Sequence, residues 1–141
     1  MSMNYAPPRG RIIMVDFQLR VKGGGLPPEM RKERRPCVIV SRNDLKRGRL
    51  VTVVPLSTTE PDRVREYHHK MDHRSFVDFP ASMGAARTRW AKCDYLDTVS
   101  LDRCKDPGDT DAQGNRRYKK PRAIEADMRA IEACIRHVLK L

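Results

Sequence analysis

Three short runs of β-branched and apolar residues, each cut off by residues that cannot continue a ladder, dictate a sheet in the N-terminal part of this chain. Arg11-Ile12-Ile13-Met14-Val15-Asp16-Phe17 follows Gly10, Pro36-Cys37-Val38-Ile39-Val40-Ser41 follows a charged stretch, and Leu50-Val51-Thr52-Val53-Val54-Pro55-Leu56 follows a polar turn. Each run is too short for an independent helix, and Val and Ile suit a pleated surface. The third is nearly continuous in apolar residues, which predicts a central strand. Pro36 is tolerable at the head of the second, where a strand's first residue need not donate to the ladder. Residues 20–34 hold Gly23-Gly24-Gly25, Pro27-Pro28 and dense charge, a composition that predicts a loop. Weaker strand signals lie at 64–71 and 88–95, with a short one at 98–101. The polar stretch 102–121 reads as a long loop or insertion.

The last segment, about 122–139, is the one helix the pattern predicts. Ile124, Met128, Ile131, Ile135 and Val138 recur at helical spacing and form one stripe, edged by Cys134 and Leu139. Glu125, Arg129, Glu132, Arg136 and Lys140 gather on a solvated side. Pro121 suits the first helical turn. Asp127 lies beside the apolar stripe, where a carboxylate has no evident reason to be. Short strands closed by one amphipathic helix predict a single domain over 1–141, mainly β: a small SH3-like open β-barrel with the helix packed on it.

Charge narrows the function. Lys and Arg number 29 against 18 Asp and Glu, a formal net charge of +11. That excess points to a polyanionic partner, nucleic acid before acidic protein. Eight cations (Arg9, Arg11, Arg20, Lys22, Arg31, Lys32, Arg34 and Arg35) gather in or beside the 20–35 loop, a composition suited to funnelling a single strand. Trp90 and Tyr95 are candidates for base stacking, although a lone Trp more often fills a core. Cys37, Cys93, Cys104 and Cys134 form no CxxC pair, which argues against a zinc ribbon. His69 and His73, four apart, would stand ~13 Å apart in a strand, too far to share one ion. No metal and no cofactor are expected. Nothing resembles a signal peptide or a membrane span, which predicts a cytoplasmic protein.

The order and spacing of three segments resemble the MazF/PemK family of toxin endoribonucleases. Gly10-Arg11-Ile12-Ile13-Met14-Val15-Asp16-Phe17 matches the family's opening G-x-hydrophobic-x-V-D-F strand. Arg35-Pro36-Cys37-Val38-Ile39-Val40-Ser41 is similar to its R-P-hydrophobic strand, and Val53-Val54-Pro55-Leu56-Ser57-Thr58 to its V-P-[LI]-[ST]-[ST] segment. A weaker match runs over 90–101, with Asp94 on an acidic position. Two departures mark a divergent branch: Glu29-Met30-Arg31-Lys32-Glu33-Arg34 replaces the usual E-Q-x-G run, and Tyr95 replaces a Gln.

The resemblance implies the toxin of a type II toxin–antitoxin system. It would be a homodimer held by a cognate antitoxin, cleaving single-stranded RNA, including mRNA, without a metal. In such cleavage the ribose 2′-hydroxyl attacks the adjacent phosphate, so the protein supplies alignment and charge stabilisation and needs no nucleophile of its own. Arg35 is the expected phosphate-gripping residue, its planar guanidinium offering two parallel donors. The resemblance adds a proton-transfer role, although an Arg pKa above ~12 disfavours it as base. Ser57, or Thr58 if the register slips by one, is the expected hydroxyl. Both Arg35 and Ser57 are expected in an open cleft. Arg11, Asp16, Arg31, Lys32, Arg34, Asp94 and Tyr95 complete the expected RNA-binding set. The competing reading is a non-catalytic barrel, either a nucleic-acid binder or a gyrase binder of the CcdB type.

Overall fold

In the computed structural model of this chain, residues 5–17, 34–43 and 48–141 are described, and the structural statements below concern those. The expected loop over 20–34, Arg34 apart, lies outside them, as do Arg31 and Lys32. The main sheet is antiparallel throughout and holds β1 (Ile12–Val15), β2 (Arg35–Ile39), β3 (Leu50–Ser57), β4 (His68–Lys70), β5 (Trp90–Lys92), β6 (Asp97–Ser100) and β7 (Cys104–Lys105). A separate hairpin follows, β8 (Gly108–Thr110) with β9 (Arg116–Tyr118), and the chain ends in α1 (Glu125–Leu139). The spatial order is β4-β5-β3-β2-β1-β7, with β6 also on β3. Its two ends do not pair, so the sheet is open, as the expected fold class requires.

β3 is central, as its unbroken apolar run predicts. One edge pairs β2 at Val53–Pro55, and the other is shared between β6 at Leu50–Val53 and β5 at Leu56–Ser57. Successive residues of a strand face opposite sides, and here both sides are covered. Ile12, Met14, Val38, Val54 and Leu56 pack with Phe76, Phe79 and the helix residues Met128, Ile131 and Cys134. Ile13, Val15, Phe17, Cys37, Ile39, Val51 and Val53 form the opposite core with Val99, Leu101 and Cys104. Burial on both faces is why these strands lack polar alternation.

Asp127 has a reason for its position. It is 2% exposed and accepts from His69 Nε2 at 2.7 Å, Ser75 Oγ at 2.5 Å and the Asp72 amide at 3.0 Å. Ser75 Oγ in turn accepts from the Ile124 amide at 2.9 Å, satisfying one of the free donors at the helix start. One carboxylate in the first helical turn thus pins α1 to the 68–75 segment, at the end where the helix dipole favours an anion.

Two expectations are corrected. Pro121 is not in the helix: its carbonyl accepts from the Ile12 amide at 2.9 Å, and Arg122 bridges Arg11, so this segment runs extended beside β1. Nor is 102–121 one long loop. It contains β7, paired with β1, and the β8–β9 hairpin. The hairpin's turn is built by Asp111 Oδ1, which accepts from the Gln113 and Asn115 amides, and by Gly114 at φ +84°. Its strands carry no apolar alternation, so hydrophobic periodicity does not reveal them.

Candidate functional site

The ends of β2 and β3 meet a cavity of about 240 Å³ lined by Met14, Arg34, Arg35, Pro36, Leu56, Thr58, Phe79, Met83, Arg87 and Arg89. Arg35 opens β2 opposite Val15 of β1. The β2–β3 register, with Cys37 facing Pro55, carried two residues further sets Arg35 across from Ser57. Ser57 in turn pairs with Trp90 of β5. The residues named from the two separate motifs therefore end neighbouring strands, on one row of the sheet.

Arg35 and Ser57 do not stand in an open cleft, contrary to expectation: each is 2% exposed. Arg35 Nη1 donates to the Leu56 carbonyl at 3.4 Å, folding the side chain against β3. Its guanidinium also lies close enough to Cys37 to oppose the rise that burial, reinforced by Cys104, imposes on that thiol's pKa. Ser57 Oγ accepts from the Thr59 amide at 3.1 Å, a turn-forming bond. Thr58, half-buried, is the hydroxyl residue of this pair that lines the cavity.

The opposite wall comes from 76–89. Arg89 is 4% exposed and donates to the carbonyls of Gly84 and Met83 at 2.8 and 2.9 Å. Its guanidinium carbon lies 5.1 and 4.8 Å from the ring centroids of Phe76 and Phe79, within cation–π range. Burial, and next the charge of Arg87, lower its pKa to about 10, so it stays charged at neutral pH. Gly84 takes φ +82°, and a Cβ there would lie 2.8 Å from Arg87 Cδ. The glycine thus provides both the left-handed turn and room for Arg87. Among the described residues, four guanidinium groups and no carboxylate line this cavity. Like charges crowded in a partly desolvated space repel one another, and a bound anion relieves that repulsion.

A second cavity of about 370 Å³ holds Asp94 and Tyr95 together with Thr59, Arg63, Arg65, His68 and Lys92 among its walls. It begins one residue past Thr58, so the two cavities flank the segment leaving β3. His68 Nδ1 accepts from the Arg65 amide at 3.0 Å. Burial lowers the His68 pKa, Asp94 opposes that, and Lys92 and Arg65 add to it.

Other expected site residues lie elsewhere. Arg11 is buried and ion-paired with Asp106, so it is not among the groups facing either cavity. Asp16 is half-buried beyond β1, and its amide donates to Arg103. Trp90 is 8% exposed, which removes it as a stacking surface. His69 is bound to Asp127. Among the described residues no three His, Cys, Asp or Glu side chains are grouped to hold a metal. Sequence reading missed Arg87, Arg89 and Lys92. The Arg87-Thr88-Arg89 triplet beside a strand signal was the available clue.

Comparison with known proteins agrees with this architecture. Residues 8–139 match the family described as PemK-like, MazF-like toxin of type II toxin-antitoxin system. The YifN protein of Escherichia coli K12 is 30% identical over 115 residues, covering 73% of this chain and 74% of its own. Among solved structures, a mycobacterial endoribonuclease in complex with its cognate antitoxin superposes with TM-score 0.63 at 22% identity, covering 96% of this chain and 97% of its own. The Mycobacterium tuberculosis toxin MazF-mt6 gives 0.60 at 15% identity over 93% and 97%, and the MazE–MazF structure from Deinococcus radiodurans 0.59 at 12% over 98% and 99%. The structural likenesses carry the fold, the family match covers nearly the whole chain, and this protein is a member of the PemK-like, MazF-like toxin family of type II toxin–antitoxin systems.

Proposed function

We propose that this protein is an endoribonuclease that cuts single-stranded RNA, including mRNA, by attack of the ribose 2′-hydroxyl. The observation that carries this reading is a cavity at the ends of β2 and β3 lined, among the described residues, by four arginines, a threonine and no carboxylate. The bond from the 2′-oxygen to phosphorus forms as the bond from phosphorus to the 5′-oxygen breaks. The 2′ proton passes to water, the 5′-oxygen takes up a proton, and a cyclic phosphate and a 5′-hydroxyl result. Arg35 stabilises the charge that grows on the phosphate oxygens, and the Thr58 hydroxyl adds a neutral hydrogen bond. Arg34, Arg87 and Arg89 hold the neighbouring phosphate charge. Asp94 and Tyr95, in the adjoining cavity, meet the nucleotide beyond.

The solved relatives from mycobacteria and Deinococcus are seen with antitoxins, which supports a cognate antitoxin as partner here. On the same kinship we propose a homodimer that acts in the cytoplasm. The deciding experiment incubates purified protein with mixed-sequence single-stranded RNA in EDTA and maps the ends. Cleavage that survives chelation and leaves 5′-hydroxyl termini is expected. Cleavage that requires added divalent ions would overturn the mechanism, and RNA binding without cleavage would establish the non-catalytic alternative.

A further inference from the structure

We infer that the β8–β9 hairpin is a binding arm for the single-stranded nucleic acid that runs on from the arginine cavity. Residues 116–122 carry five cations, Arg116, Arg117, Lys119, Lys120 and Arg122, all exposed. Arg117 is ion-paired with Asp111 at 3.3 Å, whereas Arg116, Lys119 and Lys120 have no acidic partner among the described residues. A solvated surface usually intersperses both signs; this strand does not.

Two observations make the patch a recognition surface. Tyr118 is 45% exposed and lies opposite Gly108, where a Cβ would come within 3.0 Å of its ring. The glycine thus lets one side of the ring lie close on the neighbouring strand, and nearly half of the residue stays open to solvent. Arg116, on the same face, holds its guanidinium carbon 5.7 Å from the ring centroid. With Arg116 over the ring, a base would stack on the guanidinium–tyrosine pair, and Lys119 and Lys120 would meet the neighbouring phosphates. The second observation is placement. The hairpin is anchored by Ser82 donating to Asp109, and its own ladder is extended by the Lys119 amide donating to Pro107 at 2.8 Å. Ser82 neighbours Met83, which lines the arginine cavity. A strand leaving that cavity past Met83 meets the Asp109–Arg117 side of the hairpin first and passes round its edge to reach Tyr118 and Arg116 on the other side.

The arm rests on the proposed function for the identity of its polymer, RNA. Its test is binding, so the two can fail separately. Fluorescence anisotropy would use uncleavable 2′-O-methyl RNA of about 4 and about 16 nucleotides, the span of known single-strand site sizes. For Arg116→Ala/Lys119→Ala/Lys120→Ala, affinity for the longer RNA should fall at least ~10-fold. The slope of log affinity against log salt should flatten by about 2, at ~0.7 per lost phosphate contact, and the short RNA should be unaffected. Tyr118→Ala should weaken the longer RNA by ~5-fold or more with the slope unchanged, since stacking releases no counterions. Thermal melting checks that both variants fold. Unchanged affinity for the longer RNA in both folded variants would overturn the arm, as would equal losses for both lengths. If binding to polyglutamate fell instead, the hairpin would be a dock for an acidic protein. A protein that binds RNA through the arm but never cleaves it would sink the endoribonuclease reading alone.

Discussion

Arg35 and Leu56 are joined across β2 and β3 by an Nη1–H donated to the Leu56 carbonyl at 3.4 Å, which holds the guanidinium against the strand end beside Thr58. On the proposed mechanism, an arginine fixed this way would lose little conformational freedom on gripping a phosphate, and preorganised donors are where electrostatic catalysis gains most. The same burial makes Arg35 part of the packing, so its removal touches stability as well as rate.

On the proposed mechanism, the two adjacent hydroxyls divide their work. Thr58→Ala should lower the cleavage rate and leave the melting temperature within about 2 °C, because a half-buried cavity residue holds little structure. Ser57→Ala should lower both, since its Oγ bonds the Thr59 amide and so shapes the turn that carries Thr58; one such bond contributes about 1 kcal/mol. Cleavage rates beside melting curves decide this. A silent Thr58→Ala with a rate loss confined to Ser57→Ala would assign the active hydroxyl to Ser57.

Arg89→Met should preserve much of the apolar contact with Phe76 and Phe79 but abandon the carbonyls of Met83 and Gly84. A stability loss of about 1–3 kcal/mol follows from two buried acceptors left unmade. RNA affinity should fall with it, and the salt dependence should flatten by about 0.7. Chemical denaturation and binding titrations read the two effects separately. A variant with wild-type affinity and slope would remove Arg89 from the phosphate path.

Asp127→Ala strands three donors at once, from His69, Ser75 and Asp72. The cost should be about 2–4 kcal/mol, or roughly 10 °C in melting temperature for a chain of this size. Asp127→Asn should lose part of that, because an amide oxygen can accept some of these bonds but its NH₂ opposes a donor. Melting temperatures within 2 °C of wild type for both variants would contradict the role assigned to this carboxylate.

His68 gives the pH prediction. Its folded pKa lies below the ordinary 6.5, chiefly through burial. The unfolded chain therefore takes up a proton first as pH falls, and stability declines from pH 6.5 down through the folded pKa. His68→Gln should flatten that part of the stability curve. An NMR titration should place the ring's midpoint below 6.5; a midpoint at or above 6.5 would contradict the stated environment.

The sheet was legible where burial on both faces made strands apolar and β-branched, as in Ile12–Val15 and Leu50–Ser57. The helix was legible through its stripe, although not its start, because the Ile124 amide is satisfied from Ser75, 49 residues away. Arg35 and Ser57 were legible as members of motifs, but their burial was not, since side-chain packing at strand ends depends on the tertiary fold. Arg87 and Arg89 stayed hidden for the same reason: nothing local says that the 76–89 segment folds back over the end of β3. The hairpin escaped because polar strands closed by an Asx turn carry no hydrophobic period.

The most direct test of the account measures single-turnover cleavage of single-stranded RNA in EDTA by Arg35→Ala and Arg35→Lys. Each would be assayed well below its own melting temperature and compared with wild type. The account predicts a loss of about 10²–10³ for Arg35→Ala, the magnitude of removing one preorganised charge-stabilising donor. Arg35→Lys should recover part of it, since a point charge replaces a planar fork. Wild-type rates in a folded Arg35→Ala protein would contradict the assignment and leave the arginine cavity as a binding site without chemistry.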